Sequence, residues 1–110
     1  MGQGKSQYIY TLRGNRQGLL SKGPTDNEGQ YLQEHAAYLE RLSSEGVVLL
    51  AGRTQTADES TFGLVILAAT TKAEADAVMA ADPAIVGGVM SGELYPYQIA
   101  YLAPKLAGDN

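Results

Sequence analysis

His35 is the only histidine in this 110-residue chain, and histidine is the side chain best suited to moving a proton near neutral pH. It follows Leu32 by three residues and precedes Leu39 by four, so it shares one face of a predicted helix with both. Taken alone, this placement favours a structural imidazole at the edge of the core, bonded to a backbone oxygen. The functional interpretation is a general acid or base.

Asp82 is a second candidate for proton chemistry, directly before Pro83. Taken alone, an aspartate at this place is a common end to a helix, because the residue before a proline is pushed out of the helical region. The C-terminal end of a helix also disfavours a negative charge, and a nearby imidazolium would relieve that cost.

Two arginines and several tyrosines are candidates for binding a ligand. Arg13 and Arg53 each come near the end of a predicted strand, where either side chain fits a forked carboxylate contact or a solvated strand end. The tyrosines alternate along the first and last predicted strands, at Tyr8, Tyr10, Tyr95, Tyr97 and Tyr101. Since these strands are expected to be neighbours, the tyrosines form either a dimer core or the wall of a pocket for a flat organic ligand.

The composition excludes several other kinds of chemistry. The chain has no cysteine, which removes disulfides, thiolate catalysis and cysteine-ligated metal centres. No serine or threonine lies in a nucleophile-elbow motif, and one histidine is too few for a typical metal site. A haem or flavin enzyme is disfavoured, because His35 would have to be the haem ligand and nothing resembles a flavin site. We therefore expect no cofactor and no metal.

Charge and hydropathy limit the partners. Eight Lys and Arg residues stand against twelve Asp and Glu, for a net charge of −4, and the basic residues are scattered. A surface that follows nucleic-acid phosphates needs clustered basic residues. The longest apolar run is about seven residues, whereas a membrane helix needs roughly 20. We expect a cytoplasmic protein that binds a small molecule and neither nucleic acid nor a membrane.

Periodicity predicts the elements that must position these residues. Asp26 or Asn27 caps the first predicted helix and Gly46 follows its end, while Thr71 and Glu74 form a capping box before the second. The predicted strands span 7–13, 47–51, 62–69 and 93–102, and the predicted helices span 27–45 and 72–81.

The order of these elements predicts an α+β, ferredoxin-like βαββαβ sandwich, a four-stranded antiparallel sheet with two helices on one face. Pro96 agrees, because the last strand then lies at a sheet edge. Strands 47–51 and 62–69 are apolar on both sides, so we expect a homodimer that covers the second sheet face. The predicted domain is 7–103, between a disordered leader (1–6) and a C-terminal tail (104–110).

Five segments of the chain carry recognisable motifs. They read HAAYLERL at 35–42, GVVLLAG at 46–52, FGLVIL at 62–67, DPAIVGGV at 82–89 and ELYPY at 93–97. In this order and at this spacing they resemble the YciI-like (YCII-related) family over about residues 7–102. The resemblance implies a dimeric α/β barrel made of two ferredoxin-like subunits, with a His–Asp pair at His35 and Asp82 in a cleft.

The family that the chain resembles includes a dehydrochlorinase among members that mostly have no assigned reaction. The His–Asp pair suggests the hypothesis of a cofactor-independent enzyme of the lyase (dehydrochlorinase), isomerase or hydrolase type, acting on a small, aromatic or carbonyl-bearing substrate. In this hypothesis Asp82 fixes the tautomer of His35, whose other ring nitrogen moves the substrate proton. Arg13 or Arg53 holds an anionic group of the substrate, and the tyrosines flank its ring. Two alternatives are a non-catalytic small-molecule binding module and an accessory dimeric module in which the pair is structural.

Overall fold

The computed structural model describes residues 5–19 and 22–104 of the chain. Four strands and three helices lie within these ranges. Their bounds are β1 (Ser6–Gly14), α1 (Asp26–Ser44), β2 (Val48–Arg53), β3 (Gly63–Ala69), α2 (Lys72–Ala80), α3 (Pro83–Val86) and β4 (Met90–Tyr97).

The four strands form one antiparallel sheet in the order β2-β3-β1-β4. The helices pack on one face of it, with α1 against β2 and α2 against β3 and β4. The predicted α+β ferredoxin-like fold is therefore confirmed. Its first strand is central, so side chains of β1 that face the helices lie in the middle of the domain.

The alternating pattern of β1 separates the two faces of the sheet. Tyr8, Tyr10 and Leu12 are buried and face the helices, where they join the hydrophobic core with Val65 and Leu67 of β3. Because successive side chains of a strand point to opposite faces, the residues between them face away from the helices. The core therefore lies between the sheet and the helical layer.

The face of the sheet away from the helices carries an apolar row across all four strands. Leu50 pairs with Ile66, Ile66 with Ile9, and Ile9 with Tyr95, so the four side chains share this face. Leu50 and Tyr95 are exposed, and the two isoleucines are half-buried. We call this row, with its neighbours on the same side, the open face. Its predicted cover, a second copy of the chain, stays a prediction.

The ends of α1 follow from its capping residues. Thr25, rather than Asp26 or Asn27, is the N-cap, and it forms a reciprocal capping box with Glu28. Gly46 takes a positive φ of 78° just past the helix, so its prediction as the residue that ends α1 is confirmed. The cap lies one residue before Asp26 and two before Asn27, because the Thr25 hydroxyl reaches the N–H of Glu28.

The region after α2 differs from the predicted loop and strand. A short helix, α3, follows Asp82, which caps it by accepting a hydrogen bond from the N–H of Ala84 at 3.0 Å. The last strand is Met90–Tyr97 instead of the predicted 93–102. It ends there because its partner β1 starts at Ser6, which leaves Tyr101 without a neighbouring strand and 96% exposed. Pro96 lies on this edge strand, as predicted.

Most of the predicted leader (1–6) and tail (104–110) lies outside the described residues, although Ser6 already belongs to β1. In the described ranges no helix is both long and apolar enough to cross a membrane.

Candidate active site

His35 and Asp82 lie in direct contact, although 47 residues separate them in the sequence. The Nδ1 atom of His35, on α1, lies 2.7 Å from Oδ1 of Asp82. The packing of α1 against α3 brings the two elements together. The structure thus places the two predicted residues side by side, and their catalytic role stays a prediction.

Asp82 is fully buried and its carboxylate is surrounded by hydrogen-bond donors. Besides the contact with His35, Oδ1 accepts from the N–H of Ala84, and Oδ2 accepts from the hydroxyl of Tyr10 at 2.8 Å. Partners on both oxygens offset the cost of taking a carboxylate out of water. Asp82 follows the end of α2, but the first turn of α3 also directs an N–H toward it. The negative charge of Asp82, which the C-terminal end of α2 disfavours, is therefore stabilised by a backbone donor as well as by the imidazole.

Tyr10, which the sequence predicts to bind substrate, instead donates a hydrogen bond to Asp82. Its side chain is buried in the core, and burial together with the negative charge of Asp82 raises the pKa of the Tyr10 hydroxyl above its ordinary value. The raised pKa favours the protonated hydroxyl, which is the form that donates to Asp82. Tyr10 and His35 thus contact different oxygens of Asp82, Oδ2 and Oδ1.

The other side of His35 faces a cavity of about 360 Å³ between α1 and the strands β1, β2 and β3. The His35 side chain is 17% exposed. Most of the lining is apolar, and it includes Leu12, Leu39, Val65, Phe62 and Met90. Because Nδ1 is occupied by Asp82, Nε2 is the ring nitrogen available to a molecule in this cavity.

The two predicted arginines differ in their relation to this cavity. Arg53, at the end of β2, lines it together with His35. Arg13 does not line it; its guanidinium carbon lies 4.9 Å from the centre of the Phe62 ring, and that ring is part of the lining. Within residues 5–19 and 22–104 neither arginine forms an ion pair. Arg53 is thus the one of the two that lines the cavity, while Arg13 contacts a ring of its wall, and a role for either in ligand binding stays a prediction.

The four tyrosines predicted to bind substrate do not lie on one face of the sheet. Tyr8 and Tyr10 face the helices, whereas Tyr95 and Tyr97 face the other way, because they pair with Ile9 and Gln7. None of the four lines the His35 cavity. Tyr8 and Tyr97 instead border a shallow depression at the opposite end of β1. The prediction that these tyrosines form the wall of one ligand pocket is therefore corrected: the apolar lining of the His35 cavity comes from Phe62 and from aliphatic side chains.

Sequence reasoning missed three features of the site: the Tyr10–Asp82 bond, the cap of α3 and the role of Phe62. The alternation of side chains along β1 gave a usable signal for the Tyr10–Asp82 bond. Tyr10 alternates in phase with Leu12 on the central strand, so its side chain had to lie under the helices. Phe62 gave no such signal, because it comes before β3, outside the alternating pattern of the strand.

The fold and this geometry define a small ferredoxin-like α+β domain with an apolar cavity beside a buried histidine–aspartate contact. The sequence profile of the YCII-related domain matches residues 8–97. The chain belongs to this family, and the resemblance found in the sequence is confirmed.

A solved structure supports the fold. The chain is similar to 5-chloro-2-hydroxyhydroquinone dehydrochlorinase from Burkholderia phenoliruptrix, in complex with 2,5-dihydroxybenzoquinone, with a TM-score of 0.59 and 20% sequence identity. The similarity covers 83% of this chain and 93% of the other. At this identity the comparison shows a shared fold. Among curated proteins, none is similar enough to match.

Proposed function

We propose that this chain is a small-molecule enzyme in which His35 acts as a general base and acid and Asp82 holds its ring. The observation that carries the proposal is the 2.7 Å contact between a cavity-lining imidazole and a fully buried carboxylate. A buried carboxylate favours the tautomer with its proton on Nδ1 and the lone pair on Nε2. That lone pair is what a general base needs on the side of the ligand.

The proposed reaction takes one proton from the substrate and returns it elsewhere. Nε2 of His35 removes a proton from a C–H or O–H beside a carbonyl or phenol group, and the electron pair left behind forms a C=C or C=O bond. Asp82 faces the imidazolium that results. In an isomerisation the imidazolium gives the proton to another carbon, and in an elimination the leaving group departs with the electrons of its own bond while the imidazolium releases the proton to solvent. In a hydrolysis, Nε2 takes the proton from water instead, the water oxygen bonds to the substrate carbon, and the imidazolium returns the proton to the group whose bond to that carbon breaks.

The cavity supports a substrate of one small ring. Its volume of about 360 Å³ and its apolar lining suit a single flat ring with few polar groups. In this proposal Arg53, which lines the cavity, holds an anionic oxygen of such a ring. The structural neighbour holds 2,5-dihydroxybenzoquinone, a flat ring with acidic hydroxyl groups, which makes this compound a suitable probe.

We also propose that the chain forms a homodimer through the open face. The row Leu50, Ile66, Ile9 and Tyr95 places apolar side chains side by side across the whole sheet. A contiguous apolar surface of this kind is unusual on a monomer and typical of an interface. A second copy presents the same row, so the surface is complementary to itself.

Turnover of a hydroxylated ring is the test of the enzymatic proposal. Purified protein is incubated with 5-chloro-2-hydroxyhydroquinone, and chloride release and product are followed by NMR. Wild type is expected to accelerate the loss of chloride, and His35→Gln to reduce the rate at least about 100-fold. The matched control is Glu34→Gln, on the exposed side of α1, which is expected to behave as wild type.

Two results would contradict this proposal in different ways. Equal turnover by wild type and His35→Gln would remove His35 from the chemistry. Binding of 2,5-dihydroxybenzoquinone by calorimetry, with no turnover of the chlorinated compound, would favour the alternative of a non-catalytic small-molecule binding module.

A further inference from the structure

We propose that Tyr10 is a positioning residue of this site, whose hydroxyl holds the Asp82 carboxylate in the orientation that fixes the ring proton of His35 on Nδ1. This inference rests on the proposed function, because the fixed tautomer matters only if Nε2 receives a proton. It goes beyond that function by assigning a residue that contacts neither the cavity nor His35.

The carboxylate of Asp82 divides its two oxygens between different elements of the fold. Oδ1 meets the imidazole from α1 and the N–H of Ala84 at the start of α3, while the hydrogen-bond donor of Oδ2 among residues 5–19 and 22–104 is Tyr10 from β1. A carboxylate can rotate about the bond to its β-carbon, and its terminal torsion has broad minima. The Tyr10 contact is the one that holds Oδ2. It therefore fixes the direction in which Oδ1 accepts from His35.

Tyr10 is itself held firmly by its place in the sheet. It lies in the middle of the central strand and pairs with Val65 on one side and Leu94 on the other. Its side chain is fully buried, so the ring has little room to move. The position of the hydroxyl is thus set by two strand pairings, while Asp82 and His35 lie on helices or their ends. The sheet therefore holds the Tyr10 hydroxyl in a fixed position against Asp82 and His35.

Loss of the Tyr10 hydroxyl would change the orientation or the protonation of Asp82, and not only the stability of the domain. Without Tyr10, Oδ2 would be a buried carboxylate oxygen with no donor, which is costly. The group can reduce that cost by turning or by accepting a proton. Either response weakens the attraction for a proton on Nδ1 of His35, so the alternative tautomer, with its proton on Nε2, gains population. A ring in that tautomer cannot accept a proton from the substrate.

Tyr38 provides a matched control. It is also a partly buried tyrosine near the site, but its hydroxyl donates to the backbone oxygen of Val78 at 2.7 Å and joins α1 to α2. Tyr38→Phe therefore removes a hydroxyl and a hydrogen bond of similar length without touching Asp82. A merely structural role for Tyr10 predicts that the two Phe variants differ from wild type in stability alone.

The test measures the tautomer of the single imidazole by nitrogen-15 NMR of the full chain without ligand, at a pH at which the ring is neutral. With one histidine, the two ring nitrogens are the only imidazole signals of the native sequence. Wild type is expected to show protonated Nδ1 and unprotonated Nε2. Tyr10→Phe is expected to lower the ratio of these tautomers about tenfold, the change that one charge-assisted hydrogen bond can cause. Tyr38→Phe is expected to match wild type.

Asp82→Asn separates the failure of this proposal from the failure of the proposed function. If Asp82→Asn shifts the tautomer ratio and Tyr10→Phe does not, the pair stands and Tyr10 is only structural. If neither substitution shifts it, the coupling of His35 to Asp82 is wrong, and the proposed mechanism fails with it.

A measurement on wild type covers the case in which Tyr10→Phe does not fold. A tyrosine hydroxyl proton held by a buried carboxylate exchanges slowly and gives its own low-field proton signal. A nuclear Overhauser contact from this proton to the amide proton of Ala84 or to the Nδ1 proton of His35 would support the proposal. A hydroxyl of Tyr10 that exchanges with bulk water as fast as that of the exposed Tyr101 would overturn it.

Discussion

The guanidinium of Arg13 lies over the ring of Phe62, 4.9 Å from its centre, and the ring in turn lines the cavity of His35. Arg13 and Arg53 are therefore not equivalent, although the sequence presents them as two similar strand-end cations. Arg53 is itself part of the cavity wall. Arg13 reaches the cavity only through an aromatic ring, in a contact worth about 0.5–1 kcal/mol at an exposed site.

Substitution of the two arginines should separate these roles. Arg53→Gln is expected to weaken binding of 2,5-dihydroxybenzoquinone at least about tenfold, because a charged hydrogen bond to an anion is lost. Arg13→Gln should weaken it no more than about fivefold, through a less ordered Phe62. Titration calorimetry at constant salt measures both. Arg41→Gln, on the exposed face of α1, is the control for the loss of one positive charge. An Arg53 variant that binds like this control would remove Arg53 from the ligand site.

Removal of the Asp82 side chain should destabilise the domain strongly. Asp82→Ala leaves the hydroxyl of Tyr10, the N–H of Ala84 and the ring N–H of His35 without their acceptor. Since these donors are buried or partly buried, we expect a loss of about 2–4 kcal/mol in the free energy of unfolding. Urea denaturation followed by circular dichroism measures it.

Asp58→Ala is the matched control for that experiment. Asp58 also accepts from a backbone N–H two residues ahead, at Ser60, but it lies exposed in a turn. Its loss is expected to cost no more than about 1 kcal/mol. Similar losses for the two variants would mean that the network around Asp82 adds nothing to stability beyond a surface turn.

The sequence predicted the fold well because hydrophobic alternation and capping residues are local signals. The two strands flanking the first helix, the position of Gly46 and the order of elements could all be inferred from neighbouring residues. Asp82 was predicted to end α2, and its contact with His35 was expected only through the family resemblance. The distance between residues 47 positions apart depends on how α1 packs against α3, and no periodicity encodes it.

The tyrosines show the opposite case. The alternation along each strand is predicted correctly, but the expectation that the tyrosines of both strands line one surface is wrong. Alternation correctly placed Tyr8 with Tyr10 and Tyr95 with Tyr97. Whether the two sets share a face depends on the register between β1 and β4, because a shift by one residue exchanges the faces. The register pairs Tyr10 with Leu94 and Ile9 with Tyr95. Only a three-dimensional structure supplies this information.

The ion pair between Arg16 and Glu28 should make stability depend on acid pH. Two nitrogens of Arg16 contact the two oxygens of Glu28 at 2.8 Å, and this contact, with the N–H of Thr25, lowers the pKa of Glu28 to about 2. A carboxyl whose pKa is lowered by folding stabilises the folded state above its unfolded pKa, near 4.5, and loses that contribution as the pH falls toward 2.

Glu28→Gln isolates this effect, because glutamine also serves as the third residue of a capping box. We expect the variant to have a lower urea midpoint than wild type at pH 7, and the difference to shrink steadily below about pH 4.5. Glu45→Gln, whose contact with Arg41 is longer at 3.5 Å and exposed, is the control and should show a smaller difference. A Glu28 difference that stays constant with pH would show that the charge of Glu28 does not stabilise the fold.

The open face gives the last prediction, which concerns assembly. Ile66 lies in the apolar row between Leu50 and Ile9, at the middle of the sheet. Wild type is expected to sediment as a dimer with twice the 11.6 kDa mass of the chain. Ile66→Glu should sediment as a folded monomer, because a carboxylate in the centre of an apolar interface loses its hydration without gaining a partner. In a monomer the same side chain reaches water.

Val86→Glu distinguishes this effect from a general effect of added charge. Val86 is an exposed apolar residue of α3, on the helical side of the domain, so its substitution adds the same charge away from the open face. We expect it to remain dimeric. A wild-type monomer would leave the open face to another partner and contradict a homodimer. Dissociation by Val86→Glu alone would place the interface on the helical side, and dissociation by both variants would mean that added charge, and not the open face, separates the copies.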